Sequence, residues 1–201
     1  MDQDSRFENG HFEKYLTQIT QLNNDLVAIY APNTQNFELM PEPLERDFVI
    51  TSGTISPLII FDKVGFLYED FLIYHIDTEF CMRVRSKGFK IIVFTNISLV
   101  HNEGYKRQMK IGFVLNNYSA QSTYYIIRNS ILLWKLYPDN VTLKEKFTFY
   151  KFKIVFRLAK IVFEDDSLRK IKAIFLALIH GYSSKKGRYD LKQRKIDNIH
   201  R

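Results

Sequence analysis

The stretch "YHIDTEFCMRVRSKGFKIIVFTNISLVHN" (residues 74–102) predicts a helix followed at once by a buried strand. Asp77 lies near the start of this helix and Gly88 follows its end, which are typical positions for an acidic residue and a terminating glycine. The strand part is β-rich, is interrupted near Asn96 and finishes at His101. A helix that leads into a strand favours an α/β layer fold, in which functional groups gather at the carboxyl ends of strands.

The sequence on either side continues this alternation. An amphipathic helix is predicted for "NGHFEKYLTQITQLNNDL" (9–26), and strands for "LVAIYAP" (26–32) and "DFVITSG" (47–53). Further helices are predicted for "SPLIIFDKVG" (56–65) and "SAQSTYYIIRNSILLWKLYP" (119–138). The region up to Pro138 is therefore predicted to have an α/β fold.

The composition indicates one ordinary domain with a real hydrophobic core. The chain has 201 residues, 46% of them apolar, with 17 Phe and 12 Tyr. A single cysteine, Cys81, rules out an intrachain disulfide and fits a reducing compartment. The sequence shows no signal peptide, and its apolar run "AIFLALI" (173–179) is too short to span a bilayer.

The charge is divided unevenly along the chain. Residues 1–134 carry 12 Lys/Arg and 15 Asp/Glu, whereas residues 135–201 carry 17 Lys/Arg and 7 Asp/Glu. A mildly acidic body with a strongly basic tail indicates an anionic partner surface. Nucleic acid is disfavoured because the body is acidic and no nucleic-acid-binding motif is present.

The tail is predicted to be helical from the capping box "TLKE" (142–145) to about Phe163. A helical wheel puts a narrow basic stripe between two groups of apolar residues; the stripe consists of Lys146, Lys153, Arg157 and Lys160. Such a helix suits an anionic membrane surface. The alternatives are packing on the body, or pairing of two copies into a homodimer. The polar end, residues 182–201, is expected to be frayed.

Several residues have types and positions that suit phosphate or metal chemistry. Asp2 and Asp4 could hold Mg²⁺ or Mn²⁺, although a polar terminus is the simpler reading of them alone. Asp77 could act as a general base beside the cation Arg83, or could merely cap a helix that carries a Glu79–Arg83 ion pair. His101, at the end of its strand, suits a metal or a phosphate, or a structural hydrogen bond.

Two further motifs belong to the same set of candidates. Tyr125 and Arg128 in "STYYIIRNS" could present a hydroxyl and a cation to a diphosphate, or could form part of a core helix. Ser52 and Gly53 end "DFVITSG", and a glycine there would let a ligand approach the backbone closely. The simpler reading of this motif is a plain turn.

The order of these motifs carries more information than any one of them. The succession of "DQDS", "FVITSG", "FLIYHIDTEFCMR", "LVHNEG" and "YYIIRN" resembles glycosyltransferase family 2, in particular its bacterial rhamnosyltransferase branch. The resemblance covers residues 2–138. It implies a GT-A fold, with a Rossmann-like nucleotide-binding sheet, and an inverting single displacement.

The resemblance also implies roles for the candidate residues. Asp77 matches the base that deprotonates the acceptor hydroxyl, and Ser52 and Gly53 match the acceptor-side turn, to which we add Glu79. Asp2 and Asp4 match the motif that binds the metal and the diphosphate. The remaining candidates are expected near the metal or the donor diphosphate; they are His101 as a metal ligand, with Tyr125, Arg128 and Arg83 at the diphosphate.

These observations predict a partial GT-A fold without its N-terminal nucleotide-binding strands (1–138), followed by a basic amphipathic helical tail (139–201). The expected function is transfer of a sugar, with dTDP-rhamnose as a candidate donor, to a glycan or lipid-linked acceptor in bacterial surface polysaccharide synthesis. We expect a peripheral location on the inner face of the cell membrane and little activity of the chain alone. The alternative is a non-catalytic membrane-binding or interaction module.

Overall fold

The computed structural model describes residues 5–35, 37–101, 107–108, 114–115, 118–161, 164 and 166–189. The described chain is a mixed α/β protein, so the predicted fold class is confirmed at that level. It divides into two compact units. The sheet unit comprises Met1–Tyr68 and Ile76–Tyr105, and the helical unit comprises Glu69–His75 and Lys106–Arg201. This division falls elsewhere than residue 138, and a functional boundary there stays a prediction.

The sheet unit is built around one long strand. Its elements are β1 (Ser5–Phe7), α1 (His11–Leu22), β2 (Val27–Asn33), β3 (Leu44–Glu45), α2 (Leu58–Val64), α3 (Ile76–Ser86) and β4 (Lys90–His101). β4 lies between β1, which is antiparallel to it, and β2, which is parallel, and β3 also pairs with β4. The register places Ser5 opposite His101.

Both faces of this sheet are covered, as the nearly continuous apolar sequence of β4 requires. Ile91 and Val93 pack in a core with residues of α2 and α3, whereas Ile92 and Phe94 pack in a second core with Tyr15 of α1. The pairing of β4 with β2 shifts register after Phe94, close to the predicted interruption. The sheet is therefore the middle of three layers.

The helical unit is dominated by two packed helices. Its elements are β5 (Arg107–Gln108), β6 (Val114–Leu115), α4 (Ala120–Leu136), α5 (Leu143–Phe149), α6 (Phe156–Ile161) and α7 (Ser167–Tyr182), with short 3₁₀ turns at Glu69–Phe71 and Pro138–Asn140. α4 and α7 approach closely at Gly181, where an added Cβ atom would lie only 2.9 Å from the Ile131 side chain. Gly181 thus serves helix packing.

A buried ion network ties α6 and α7 together. The Glu164 carboxylate accepts from Lys170 Nζ at 2.8 Å and from Arg157 Nη1 at 3.2 Å. Arg157 also donates to the Tyr118 carbonyl and the Thr123 hydroxyl, both at 3.3 Å. Charges removed from water in this way stabilise the fold only while all of them stay paired.

The tail helix departs from its predicted continuous form. Residues Tyr150–Val155 form a π-helical turn between α5 and α6, and such a turn changes the phase of the side chains that follow it. Arg157 contacts the buried network, while Lys153 and Lys160 are exposed. The capping box of Thr142 and Glu145 is confirmed.

Two other local predictions were wrong. Residues 47–53 form no strand, and the Val49 carbonyl accepts instead from the Cys81 thiol of α3. The isolated bridge to Tyr30 of β2 is made by Ile55, just beyond this range. The start of the expected frayed end is packed, because Tyr189 stacks on Tyr124 with ring centroids 4.1 Å apart. Among the described residues, no helix is both long and apolar enough to cross a membrane.

We predict that Glu164→Gln lowers the free energy of unfolding by about 3 kcal/mol, because it leaves two cations without their carboxylate partner. Urea denaturation followed by circular dichroism measures this change. Glu45→Gln is the matched control: Glu45 forms an exposed ion pair with Lys90, and its loss should cost less than about 1 kcal/mol. Equal effects of the two substitutions would contradict the structural role of the buried network.

Candidate active site

Asp77 lies in the first turn of α3 and is held there by a side chain from the turn of Thr51, Ser52 and Gly53, called the TSG turn. The Thr51 hydroxyl donates a hydrogen bond of 2.5 Å to Asp77 Oδ1. The positive end of the helix dipole favours a carboxylate at this position. The structure therefore brings together two motifs that lie 26 residues apart in the sequence, and Thr51 is a site residue that the sequence reasoning did not single out.

The TSG turn itself is rigidly packed. Ser52 is buried, and its hydroxyl donates to Ser5 Oγ at 2.8 Å. Gly53 has φ +73°, and a Cβ there would lie 2.7 Å from Leu99 Cδ2 and 3.0 Å from Pro32 Cγ. Only glycine fits, for reasons of backbone conformation and of space. The acceptor-binding role of Ser52 and Gly53 stays a prediction, and their described contacts are structural.

The predicted metal ligands Asp2 and Asp4 precede β1 in the sequence, and His101 is the last residue of β4. Asp2 and Asp4 lie outside the described residues, and so does the side chain of His101. Their chain neighbours are described: Ser5 follows Asp4, pairs with His101 across the sheet and bonds to Ser52. In the described part of the chain, no group of three or more His, Cys, Asp or Glu side chains could hold a metal ion.

Glu79 and Arg83 form the ion pair that their spacing on α3 predicts. Arg83 Nη2 donates to Glu79 Oε2 at 2.8 Å, and Glu79 is buried. Arg83 Nη1 also donates to the Val64 carbonyl at 2.8 Å, at the end of α2. These contacts join α3 to α2, and an acceptor role for Glu79 or a diphosphate role for Arg83 stays a prediction.

Cys81 is excluded as a nucleophile. Burial raises the pKa of its thiol to about 11, so the thiol remains protonated at neutral pH.

Tyr125 and Arg128 are both buried in the helical unit. The Tyr125 hydroxyl accepts a 2.8 Å hydrogen bond from the Tyr189 backbone N–H. The Arg128 guanidinium donates to Asn129 Oδ1 at 2.9 Å, to the Gly187 carbonyl at 2.7 Å and to the Asp70 carbonyl at 2.7 Å. In this conformation the Tyr125 hydroxyl and the Arg128 guanidinium are both engaged by protein groups. The diphosphate role of both residues stays a prediction.

Asn129 makes a dense set of contacts for which the sequence assigned no role. Its side-chain amide nitrogen lies 2.8 Å from the Phe71 carbonyl, 2.7 Å from that of Ile73 and 3.0 Å from that of Tyr74. Asn129 has no exposed surface. The motif "RN" was visible in the sequence, but nothing local indicated which backbone it would bind.

The segment that Asn129 contacts has an unusual backbone. Leu72, Tyr74 and His75 have φ values of 58°, 61° and 61°, in the left-handed region that residues other than glycine rarely adopt. His75 Nε2 lies 2.9 Å from the Ser130 hydroxyl. Burial, and secondarily the nearby Lys153 ammonium, lowers the pKa of His75 to about 4. This segment immediately precedes Ile76, the first residue of α3.

Comparison with known proteins indicates a distant relationship to glycosyltransferases. The chain is 27% identical over 139 residues to a dTDP-rhamnosyl transferase, RfbF, of Shigella flexneri. The match covers 69% of this chain and 46% of that protein, so the chain spans less than half the length of this curated relative. No family model matches the chain. No solved structure matches it significantly.

We predict that His75 makes stability depend on pH. Its pKa is about 4 in the fold against an ordinary value of 6.5, so as the pH falls through this interval the unfolded chain binds a proton that the folded chain does not. The free energy of unfolding should therefore decrease by up to about 3 kcal/mol as the pH drops from 6.5 to about 4. Above pH 6.5 the His75 contribution should change little.

Urea denaturation of the wild type and His75→Gln at several pH values measures this dependence. The substitution should remove that part of the slope, because glutamine does not titrate. Identical slopes for the two proteins would contradict the prediction.

Proposed function

We propose that the chain contributes the acceptor-side and catalytic-base part of an inverting glycosyltransferase with a GT-A fold. The proposed donor is a nucleoside-diphosphate sugar, with dTDP-rhamnose as the first candidate. The proposed acceptor is a hydroxyl of a glycan or a lipid-linked oligosaccharide in bacterial surface polysaccharide synthesis. The similarity to a dTDP-rhamnosyl transferase supports the reaction class and suggests the sugar.

One observation carries the proposal: the Thr51–Asp77 hydrogen bond next to the Ser52–Ser5 contact. Together with the pairing of Ser5 and His101, it links the candidate base and the TSG turn to the strand that follows Asp4 in the sequence and to the strand that ends at His101. These are the parts that a single displacement at a sugar carbon requires. Thr51, Ser5 and Asp77 come from distant parts of the sequence. An aspartate that only caps its helix would not need such partners.

In the proposed step Asp77 accepts the proton of the acceptor hydroxyl as its oxygen bonds to the anomeric carbon. The bond from that carbon to the diphosphate oxygen breaks on the opposite face, so the configuration inverts. Thr51 fixes the direction of the carboxylate, and the N-terminus of α3 stabilises its charged form. The nucleoside diphosphate leaves with the bonding electron pair.

A divalent cation is part of this proposal. The donor set of Asp2, Asp4 and His101 consists of two carboxylates and an imidazole, which suits Mn²⁺ and, through the carboxylates, Mg²⁺. The register supports this set because Ser5, the neighbour of Asp4, is opposite His101. When bound, the cation would neutralise charge on the departing diphosphate.

We predict that Asp77→Asn lowers transfer at saturating substrate by at least about 100-fold with little change in the KM for the donor, because asparagine cannot accept the proton. The protein is expressed from its own genomic locus, and membranes are assayed with dTDP-rhamnose and other nucleotide sugars. Asp62→Asn, at an exposed carboxylate on α2, is the matched control and should retain wild-type transfer.

Two results of this assay would refute the proposal. One is full activity of Asp77→Asn, and the other is the absence of wild-type transfer from every donor. Treatment with EDTA, followed by Mg²⁺ or Mn²⁺, tests the cation in the same samples. The wild type and Asp62→Asn should both lose their rate in EDTA and recover it with the cation, whereas Asp77→Asn should stay slow throughout.

We also propose that the helical unit lies against an anionic membrane. The supporting feature is the Phe/Lys surface, defined as the exposed side chains of α5, the π-helical turn and α6. Its apolar members include Phe147, Val155 and Phe152, which are 69%, 63% and 54% exposed. Its cations are Lys144, Lys151, Lys153 and Lys160, all exposed. Apolar rings beside lysines suit the boundary between headgroups and acyl chains.

We predict that the double substitution Phe147→Ser and Phe152→Ser weakens binding to phosphatidylglycerol vesicles by about 10-fold or more, because two rings no longer enter the lipid. Vesicle co-sedimentation measures this. Leu39→Ser, at a residue 78% exposed in the sheet unit, should bind as the wild type does. Asp77→Asn should bind normally too, which separates membrane binding from catalysis.

If the wild-type protein does not bind anionic vesicles at low salt, the membrane proposal is refuted. If the molar mass in solution instead doubles as the protein concentration rises, and the double variant stays monomeric, the Phe/Lys surface serves to pair two copies.

A further inference from the structure

We propose that Asn129 is a positioning residue: it holds the backbone of residues 71–75 in the conformation from which α3 and Asp77 start. The residues involved are called the carbonyl clamp, which consists of Arg128 and Asn129 with the carbonyls of Asp70, Phe71, Ile73 and Tyr74. The catalytic part of this inference rests on the proposed function, whereas the clamp itself does not.

The first argument is the number and burial of the contacts. Arg128 and Asn129 are both 0% exposed. Between them they donate to four carbonyls within five residues of chain, at 2.7–3.0 Å. Arg128 Nε also donates to Asn129 Oδ1 at 2.9 Å, which fixes the orientation of the amide. Because Asn129 is shielded from solvent, removing its amide takes a hydrogen bond from the Ile73 and Tyr74 carbonyls at a site where bulk water cannot readily substitute.

The second argument is the backbone strain. Leu72, Tyr74 and His75 all have left-handed φ values and none is a glycine. Such residues persist only where surrounding contacts over-determine the backbone, and they are concentrated at functional sites. Here the contacts that do so are the Asn129 bonds to Ile73 and Tyr74, together with the contact of His75 with Ser130.

The third argument is the position of the clamped segment. Tyr74 is followed by His75 and Ile76, and then by Asp77 in the first turn of α3. With the carbonyls turned inward, Leu72, Ile73 and Tyr74 are left 38–39% exposed. The clamped segment is therefore the entry of the chain into the helix that carries the candidate base. A small error in that entry would misdirect the carboxylate, which matters for a group that must meet a hydroxyl proton.

The experiment compares Asn129→Asp and Asn129→Ser with the wild type, using protein expressed from its own locus. Aspartate retains the acceptor for Arg128 but loses both N–H donors, so its carboxylate faces carbonyl oxygens. The control is Gln121→Ser, at an exposed side chain of the same helix. The first measurement is amide hydrogen exchange of residues 69–77, which needs no activity. We expect exchange to rise about 10-fold or more in both variants and to be unchanged in the control.

The second measurement is transfer kinetics. We expect kcat to fall by about 10-fold or more, with the donor KM unchanged, in protein whose thermal midpoint shows that it remains folded. The third is rescue: adding Leu72→Gly, which accepts the left-handed backbone without strain, should restore part of the lost kcat. A purely structural Asn129 would change stability and KM together and would show no such rescue.

The outcomes separate this inference from the proposed function. Unchanged exchange in both variants overturns the clamp. Raised exchange with normal kcat overturns the positioning role and leaves the proposed function intact. Wild-type protein without transfer overturns the proposed function and the catalytic part of the inference, while the exchange data still decide whether the clamp exists. If Asn129→Asp fails to fold, Asn129→Ser gives the same decision.

Discussion

A guanidinium that is removed from water must find acceptors for its N–H groups, because the desolvation of an unpaired charge costs several kcal/mol. Arg128 has no exposed surface and meets this constraint with carbonyls from Asp70 and Gly187 and with the amide of Asn129. Much of the helical unit is organised around that requirement. The 3₁₀ turn at Glu69–Phe71, the following left-handed backbone and the segment after α7 all supply acceptors or cover the site. The same physics, with a carboxylate as the buried ion, joins α6 to α7 at Glu164.

The sheet unit solves a different problem, which is how to hold one carboxylate at a fixed place. α3 supplies the helix terminus, and Thr51 supplies a hydroxyl that the tight turn at Gly53 keeps in position. The turn in turn rests on β1 through Ser52 and Ser5. A general base needs this kind of support from neighbours that do not themselves react. Sequence identity of 27% to a dTDP-rhamnosyl transferase indicates only a distant relationship. The contacts around Asp77 add a specific carboxylate on which the proposed role can be tested.

Local sequence signals were sufficient for the regular elements. The spacing of apolar residues, the capping box at Thr142 and the glycine after α3 each depend on neighbours within a turn or two, and each prediction is confirmed.

The predictions failed where contacts between residues distant in sequence determine the structure. Residues 47–53 have strand-forming composition, but bonds to α3 take them out of the sheet. A helical wheel assumes a constant period, which the π-helical turn at Tyr150–Val155 breaks. It also cannot show that Arg157 finds partners at Thr123 and Glu164. For the site, sequence found Asp77 and the turn, but not Thr51 or the partners of Asn129, since side-chain hydrogen bonds across 26 to 58 residues leave no local pattern.

The Gly187 carbonyl has a consequence for how the protein is made. Arg128 lies in the middle of α4, yet one of its acceptors is 59 residues further along the chain. During synthesis the chain grows from its N-terminus, so α4 exists for some time before that acceptor has been added. Until then the guanidinium has either to stay hydrated or to use a substitute, and α4 cannot complete its native packing. Arg128 therefore reaches its full set of acceptors only after residues 187–189 have been translated, long after the helix that carries it.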